Sequence, residues 1–241
     1  MPSLSFIVPA YNEARLLGAT LRAIEAAAQA LELTFELIVV DDASTDGTPE
    51  IAREHGAQVI CVGFRQIAAT RNAGARAATA EWLVFVDADT QISAQVLRDA
   101  LTALAAGAVG GGSGVRFEGH VPRYGRVLIA LLLPLYQRLG LAAGCFLFCT
   151  RQAFEAAGGF DEQLFAAEEV VLSRALRRLG RFVLLESTVV TSARKLRAYS
   201  RWEVIGALLR IALSGPRALR RRKGLEIWYG ERRLDPASSD Q

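Results

Sequence analysis

The sequence predicts an α/β protein built on a mostly parallel sheet, and three observations carry that prediction. Short apolar runs rich in Val, Ile and Phe recur at residues 4–9, 35–40, 57–62 and 82–86. They are continuous rather than alternating, as expected of strands covered on both faces. Between them lie segments of helical spacing joined by short loops, the pattern of βαβ units. Three strand ends also carry acidic residues: Glu13 beyond Pro9, Asp41-Asp42, and Asp87-Ala88-Asp89. Right-handed crossovers bring such ends to one side of the sheet, where open α/β sheets bind ligands.

Taken in order, residues 4–9 form a strand that Pro9 ends, since proline cannot donate to a ladder. Tyr11-Asn12-Glu13 is a polar loop, and Leu16, Leu17, Leu21 and Ile24 then recur at helical spacing up to Leu31. A second strand at 35–40 runs into Asp41 and Asp42. The following loop opens a short helix that ends near His55, with Pro49 suited to its first turn. Residues 57–62 are a third strand, 66–79 an Ala-rich helix, 82–86 the fourth strand and 93–105 another helix. Gly110-Gly111-Gly112-Ser113-Gly114 lacks the Lys-Ser/Thr of a phosphate loop, so a close backbone approach within a strand is expected.

Residues 127–135 are apolar on every face but too short to span a bilayer, which takes about 20 residues. A buried helix is expected ahead of a membrane-facing one. A strand at 144–149, a helix at 151–157 stopped by Gly158-Gly159, a helix at 170–179 and a strand at 182–190 follow. Residues 202–219 are amphipathic and lead into a basic run with Arg217, Arg220, Arg221, Arg222 and Lys223, then Arg232 and Arg233. Such a segment suits either an anionic lipid surface or a solvated charged face.

Composition narrows the function classes. Hydrophobic residues make up 51% of the 241 and the mean hydropathy is +0.23, an excess that fills a large core or touches a membrane. A net charge of only +3 gives no reason to expect a nucleic-acid partner. The three cysteines, an odd number, imply no disulfide framework and a reducing compartment. Cys145 and Cys149 sit in an apolar run and read as small core residues. No basic stretch followed by an apolar one opens the chain, so no signal peptide is expected and the protein reads as cytoplasmic.

Asp87 and Asp89 are the centre of the chemical reading. Two carboxylates one residue apart repel unless a cation lies near them, and oxygen ligands suit Mg²⁺ or Mn²⁺. On this stretch alone, a metal that clamps phosphate oxygens and a polar turn capping the next helix stay equally open.

Taken together, the motifs resemble the family 2 glycosyltransferases, inverting enzymes with the nucleotide-sugar-binding GT-A fold, from about Ser3 to Arg194. Val8-Pro9-Ala10-Tyr11-Asn12-Glu13 is similar to the segment that lines the nucleotide base in that family. Val39-Val40-Asp41-Asp42 with the loop after it is similar to the segment whose Asp contacts base or ribose, here Asp42. Ala69-Thr70-Arg71-Asn72-Ala73-Gly74 resembles a helix facing the nucleotide, and Asp87-Ala88-Asp89 the Asp-x-Asp motif. Gly158-Gly159-Phe160-Asp161-Glu162 and Glu168-Glu169 resemble two later blocks. Two departures stand out: Glu169 replaces the usual Asp base, with Val171 at the second acidic position, and Thr191-Ser192-Ala193-Arg194-Lys195 replaces the usual motif after the last strand.

The resemblance implies transfer of a sugar, with inversion, from a nucleotide-diphosphate sugar (UDP above other bases) to an acceptor hydroxyl. Pro9, Tyr11, Glu13, Asp42, Arg71, Asp87, Asp89 and Arg194 would bind the donor, Asp89 would hold Mg²⁺ or Mn²⁺, and Glu169 would be the general base. Gly144, Asp161 and Glu168 are assigned to the acceptor side. The organisation it implies is one GT-A domain at 1–196, split into a nucleotide-binding half (1–92) and an acceptor-side half (93–196), with a basic amphipathic tail at 197–241. The unidentified acceptor includes lipid-linked molecules, with peripheral contact at the inner face of a membrane. The alternatives are a nucleotide-sugar-binding protein without catalysis and a nucleotidyltransferase.

Overall fold

A computed structural model describes residues 3–138, 140, 142–220, 222, 225–230 and 233. The first half builds β1 (Leu4–Ala10), α1 (Ala14–Gln29), β2 (Phe35–Asp42), α2 (Thr48–Glu54), β3 (Gln58–Val62), α3 (Ile67–Ala77) and β4 (Trp82–Val86). β1 pairs in parallel with β2 and β4, and β2 with β3. The strands run as expected, with β2 carried two residues further to include Asp41 and Asp42. Pro9 lies within β1 rather than at its end. Pairing with β4 stops at Ile7, so the ladder is one-sided where the proline sits.

Continuous apolar strands are explained by cores on both faces. Leu4, Phe6 and Val8 of β1, with Val84 and Val86 of β4, pack under α1. Ile7, Leu83 and Phe85 point the other way, against α3. The period of two thus places alternate residues in two different cores.

The second half contains β5 (Thr90–Gln91), α4 (Ala94–Ala105), β6 (Gly110–Glu118), α5 (Arg123–Arg138), β7 (Phe146–Thr150), α6 (Arg151–Ala156), α7 (Glu168–Leu179), β8 (Phe182–Ser192), α8 (Arg194–Ala198), α9 (Arg201–Leu219) and α10 (Glu226–Tyr229). The eight strands form one sheet in the order β3-β2-β1-β4-β7-β6-β8-β5. β7 runs antiparallel to both β4 and β6, and β5 antiparallel to β8, while β6 and β8 are parallel. The parallel character therefore belongs chiefly to the first half. The glycine run is part of β6, and its glycines are required by packing: a Cβ on Gly111 would lie 2.1 Å from the Val183 carbonyl and 2.4 Å from the Phe148 ring.

Two sequence expectations need correction or extension. The apolar segment at 127–135 is not a buried helix. It lies within the longer α5, which leaves Val127 59% and Leu131 67% exposed. Among its described side chains, Tyr124 and Leu128 find cover, packing with Leu196, Tyr199, Val204 and Ala207. Beyond residue 196 the chain returns to the body: the Phe165 N–H donates to the Leu219 carbonyl (2.7 Å), and the Phe165 and Tyr229 rings meet edge to face. Arg221, Lys223 and Arg232 of the expected basic run lie outside the described residues. Among the described residues no helix is long and apolar enough to cross a membrane. Cys149 is buried in the core, as its setting suggested.

Candidate active site

The carboxyl ends of β1, β2 and β4 open onto a cleft, the place where open α/β sheets bind ligands. Pro9, Tyr11, Glu13, Asp42, Asp87 and Asp89 all line it. The loops that shape it are strained: Asn12 (φ 50), Ala43 (φ 61), Arg65 (φ 51) and Ala167 (φ 60) are left-handed without being glycine. Outliers of this kind persist where the surrounding structure holds them. The Asn12 amide, for example, donates to Ser44 Oγ (2.9 Å) while its side-chain oxygen accepts from the Thr45 N–H (2.7 Å), lacing the first two loops together.

Asp42 is buried and its carboxylate is already used. It accepts from the backbone N–H of Arg65 (2.7 Å) and Gln66 (3.0 Å) and from the Thr70 hydroxyl (2.9 Å), fixing the start of α3 at the cleft wall.

α3 explains why the Arg-Asn-x-Gly residues stand together. Gly74 lets the helix touch the sheet, where a Cβ would meet Ile7 Cγ2 at 2.4 Å. Asn72 accepts from the Phe160 N–H (3.0 Å) and donates to the Phe160 carbonyl (2.9 Å), clasping the Gly-Gly-Phe-Asp-Glu segment. The Phe160 ring packs at 5.1 Å from Phe85 and 5.8 Å from Phe154, which ties that segment to β4.

Arg71, expected to face the nucleotide, does not line the cleft. Its side chain is 3% exposed and donates to Asp87 Oδ1 (2.7 Å), Glu168 Oε1 (2.8 Å) and the Gly144 carbonyl (2.7 Å). Burial works against its charge, but Asp87 and Glu168 outweigh that and raise its pKa. A buried charge needs such partners, and here they wire the Asp-x-Asp strand to α7.

Glu168 and Glu169 start α7, where the helix dipole favours acidic groups. Burial is the main cause that pushes the Glu169 carboxyl up to about 8, with the neighbouring Glu168 adding to it. Burial also raises Glu168, against the pull of Arg71. A Cβ on Gly144 would lie 3.3 Å from the Glu169 carboxyl carbon, so this glycine leaves room for the glutamate. Glu169 thus stands in one charged group with Glu168, Arg71 and Asp87, although it is not part of the cleft wall. Asp161 accepts from the Gln163 N–H (2.9 Å), a local turn contact.

Arg194, expected at a donor diphosphate, starts α8. Its Nη2 donates to both Glu13 oxygens (2.8 and 2.9 Å) and lies 3.8 Å from Asp89 Oδ2. Sequence reasoning missed the cleft-lining roles of Arg65, Gln66, Thr70, Lys195 and Tyr229. Thr70 and Lys195 lie inside quoted motifs. Arg65 stacks on Tyr11 at 3.2 Å from the ring centre, and neither it nor Tyr229 carries a sequence signal.

The sequence model described as Glycosyl transferase family 2 matches residues 5–155. This chain belongs to that family. A validoxylamine A glucosyltransferase from Streptomyces hygroscopicus subsp. jinggangensis is 36% identical over 110 residues, covering 43% of this chain and 26% of that protein. The chain thus spans about a quarter of the length of the curated relative it matches. Among solved structures, a mannosyltransferase from Pyrobaculum calidifontis in complex with GDP-Man and Mn²⁺ is 26% identical, with a TM-score of 0.66 over 86% of this chain and 61% of that one. Glucosyl-3-phosphoglycerate synthase from Mycobacterium tuberculosis is 19% identical, with a TM-score of 0.61 over 95% of this chain and 80% of that one, a likeness of fold. The fold of this family 2 chain is accordingly GT-A. Glu169 and Arg194 lie beyond the matched 5–155 segment.

Proposed function

We propose that this family 2 protein transfers a sugar from a nucleotide-diphosphate sugar to an acceptor hydroxyl, with inversion. One observation carries the reading: the ends of three strands place Glu13, Asp42, Asp87 and Asp89 around a single cleft, and Arg71 couples Asp87 to the carboxylates of α7. Tyr11 and Asp42 would bound the nucleoside, with UDP the expected donor base, and Asp87 the ribose or sugar. The acceptor oxygen attacks the anomeric carbon as the bond from that carbon to the diphosphate breaks. Glu169 takes the acceptor's proton, a role worth about 10²–10⁴-fold. A carboxyl pushed up to about 8 holds a proton more firmly than an ordinary one, which suits a base working near neutrality.

Among the described residues no three His, Cys, Asp or Glu side chains gather as a ready ligand set. Mg²⁺ and Mn²⁺ sites nonetheless often need only one or two carboxylates, with substrate phosphates and water completing the shell. Asp89 offers that oxygen chemistry in the cleft, and the guanidinium beside it marks a place that favours positive charge. The residues fit a cation that arrives with the donor. When bound, such a metal would offset charge on the leaving diphosphate.

The acceptor is lipid-linked in this reading, and the protein works peripherally at the cytoplasmic face of a membrane. The support is α5 and α9, which expose Val127, Leu131, Trp202 and Leu209. Flotation with vesicles containing anionic lipid tests this, and a protein that stays with the aqueous fraction counts against it. The deciding experiment for the activity is a thermal-shift screen of nucleotide-diphosphate sugars with Mn²⁺ or Mg²⁺, followed by nucleotide release from whichever donor binds. Stabilisation with release supports transfer. Stabilisation without release from any donor–acceptor pair would favour the non-catalytic binding reading, which the exposed Val171 at the second acidic position keeps in play.

A further inference from the structure

Glu13 and Asp89 are both largely buried at the cleft, and both meet the same cation. Arg194 Nη2 bridges the two Glu13 oxygens at 2.8 and 2.9 Å and stands at 3.8 Å from Asp89 Oδ2. Among the described residues, the other Asp89 oxygen accepts from the Thr191 hydroxyl at 3.4 Å. These two acidic contacts of Arg194 are unequal: a close double contact with Glu13, and a longer one with Asp89 that can open while the first holds. Arg65 and Lys195 add positive charge to the cleft wall itself.

Building on the donor-site reading above, we propose that Arg194 is the resident counter-ion of Asp89, exchanged for a divalent cation only when a nucleoside diphosphate arrives. A dication entering alone would meet the guanidinium at like-charge distance. A diphosphate supplies oxygens that the planar guanidinium can grip with two parallel hydrogen bonds, which draws it off Asp89 and leaves that carboxylate to the metal. Metal and nucleotide then bind as a pair, and by linkage each tightens the other by the same factor.

Mn²⁺ binding to the full chain, read from the loss of the free-ion electron paramagnetic resonance signal, tests this with and without UDP or GDP. In the unchanged protein, the diphosphate is expected to tighten Mn²⁺ by about tenfold or more. Arg194→Gln is expected to bind Mn²⁺ alone about tenfold tighter than the unchanged protein, with most of the nucleotide's effect gone. Arg194→Lys, which keeps a charge, should fall between them. The inference is overturned if Mn²⁺ affinity in the unchanged protein is indifferent to UDP and GDP although the nucleotide binds. That comparison needs no variant to fold. It is overturned equally if Arg194→Gln binds Mn²⁺ no tighter. Failure of both nucleotides to bind at any Mn²⁺ concentration would remove the donor-site reading as well.

Discussion

Two arginines organise the acidic groups of this molecule, and they do so in opposite ways. Arg71 is 3% exposed and spends its guanidinium on Asp87, Glu168 and the Gly144 carbonyl. Arg194 stands behind two cleft-lining carboxylates, 13% exposed, close to Glu13 and farther from Asp89. The first arrangement is buried and behaves as part of the core, although among the described residues the Arg71 Nε finds no hydrogen-bond partner. The second leaves a carboxylate only partly satisfied beside open space, which is where a ligand's charge can enter. In the proposal above, the two ion pairs serve architecture and exchange respectively.

The sharpest way to break that contrast is to remove the buried hub. Arg71→Met leaves Asp87 and Glu168 without their cation, and loss of one partner from a buried network costs about 3–5 kcal/mol. Urea denaturation should show that loss, whereas Arg194→Gln, next to the cleft, should cost about half as much or less. Equal losses would erase the distinction.

Next in size is Glu169→Gln, expected to lower transfer about 10²–10⁴-fold while leaving metal-dependent nucleotide binding intact. The pH profile sharpens it. Because the base acts when deprotonated, transfer should rise with pH and level off above about 8. Stability runs the other way: a carboxyl whose folded pKa is raised costs stability as pH climbs from its ordinary value near 4.5 through about 8. Glu169→Gln should therefore be the more stable form at pH 9, and thermal melts at pH 5 and pH 9 check the sign.

A smaller effect is expected at Gly74→Ala, where the added methyl meets Ile7 at 2.4 Å and overpacking costs about 1–3 kcal/mol. Since α3 carries Arg71, this substitution should disturb the buried hub before the Arg194 pair. Smallest is Leu131→Ser, on a side chain 67% exposed. Denaturation should move by no more than about 0.5 kcal/mol, while any vesicle binding falls.

Much of this was legible in the chain. Apolar runs such as 82–86 announce a strand with both faces covered, and the acidic residues following them announce the loaded edge of the sheet. Asp42, Asp87 and Asp89 could be picked out because their position at a strand end says what they can reach. Arg71 and Arg194 could be named but not aimed, because direction depends on partners 16 to 181 residues away. Residues 127–135 misled because apolar composition does not reveal whether enough neighbouring surface exists to cover it. Tyr229 was invisible, since nothing local says that α10 folds back to the cleft.

Helix α3 has a last consequence. Thr70 bonds Asp42, Arg71 bonds Asp87 and Glu168, Asn72 bonds Phe160, and Gly74 rests on Ile7. Neighbouring residues serve five different parts of the protein, and each step along a helix turns it by about 100°. A one-residue insertion or deletion between β3 and Thr70 would rotate every one of those side chains off its target together. This connection should admit no change of length.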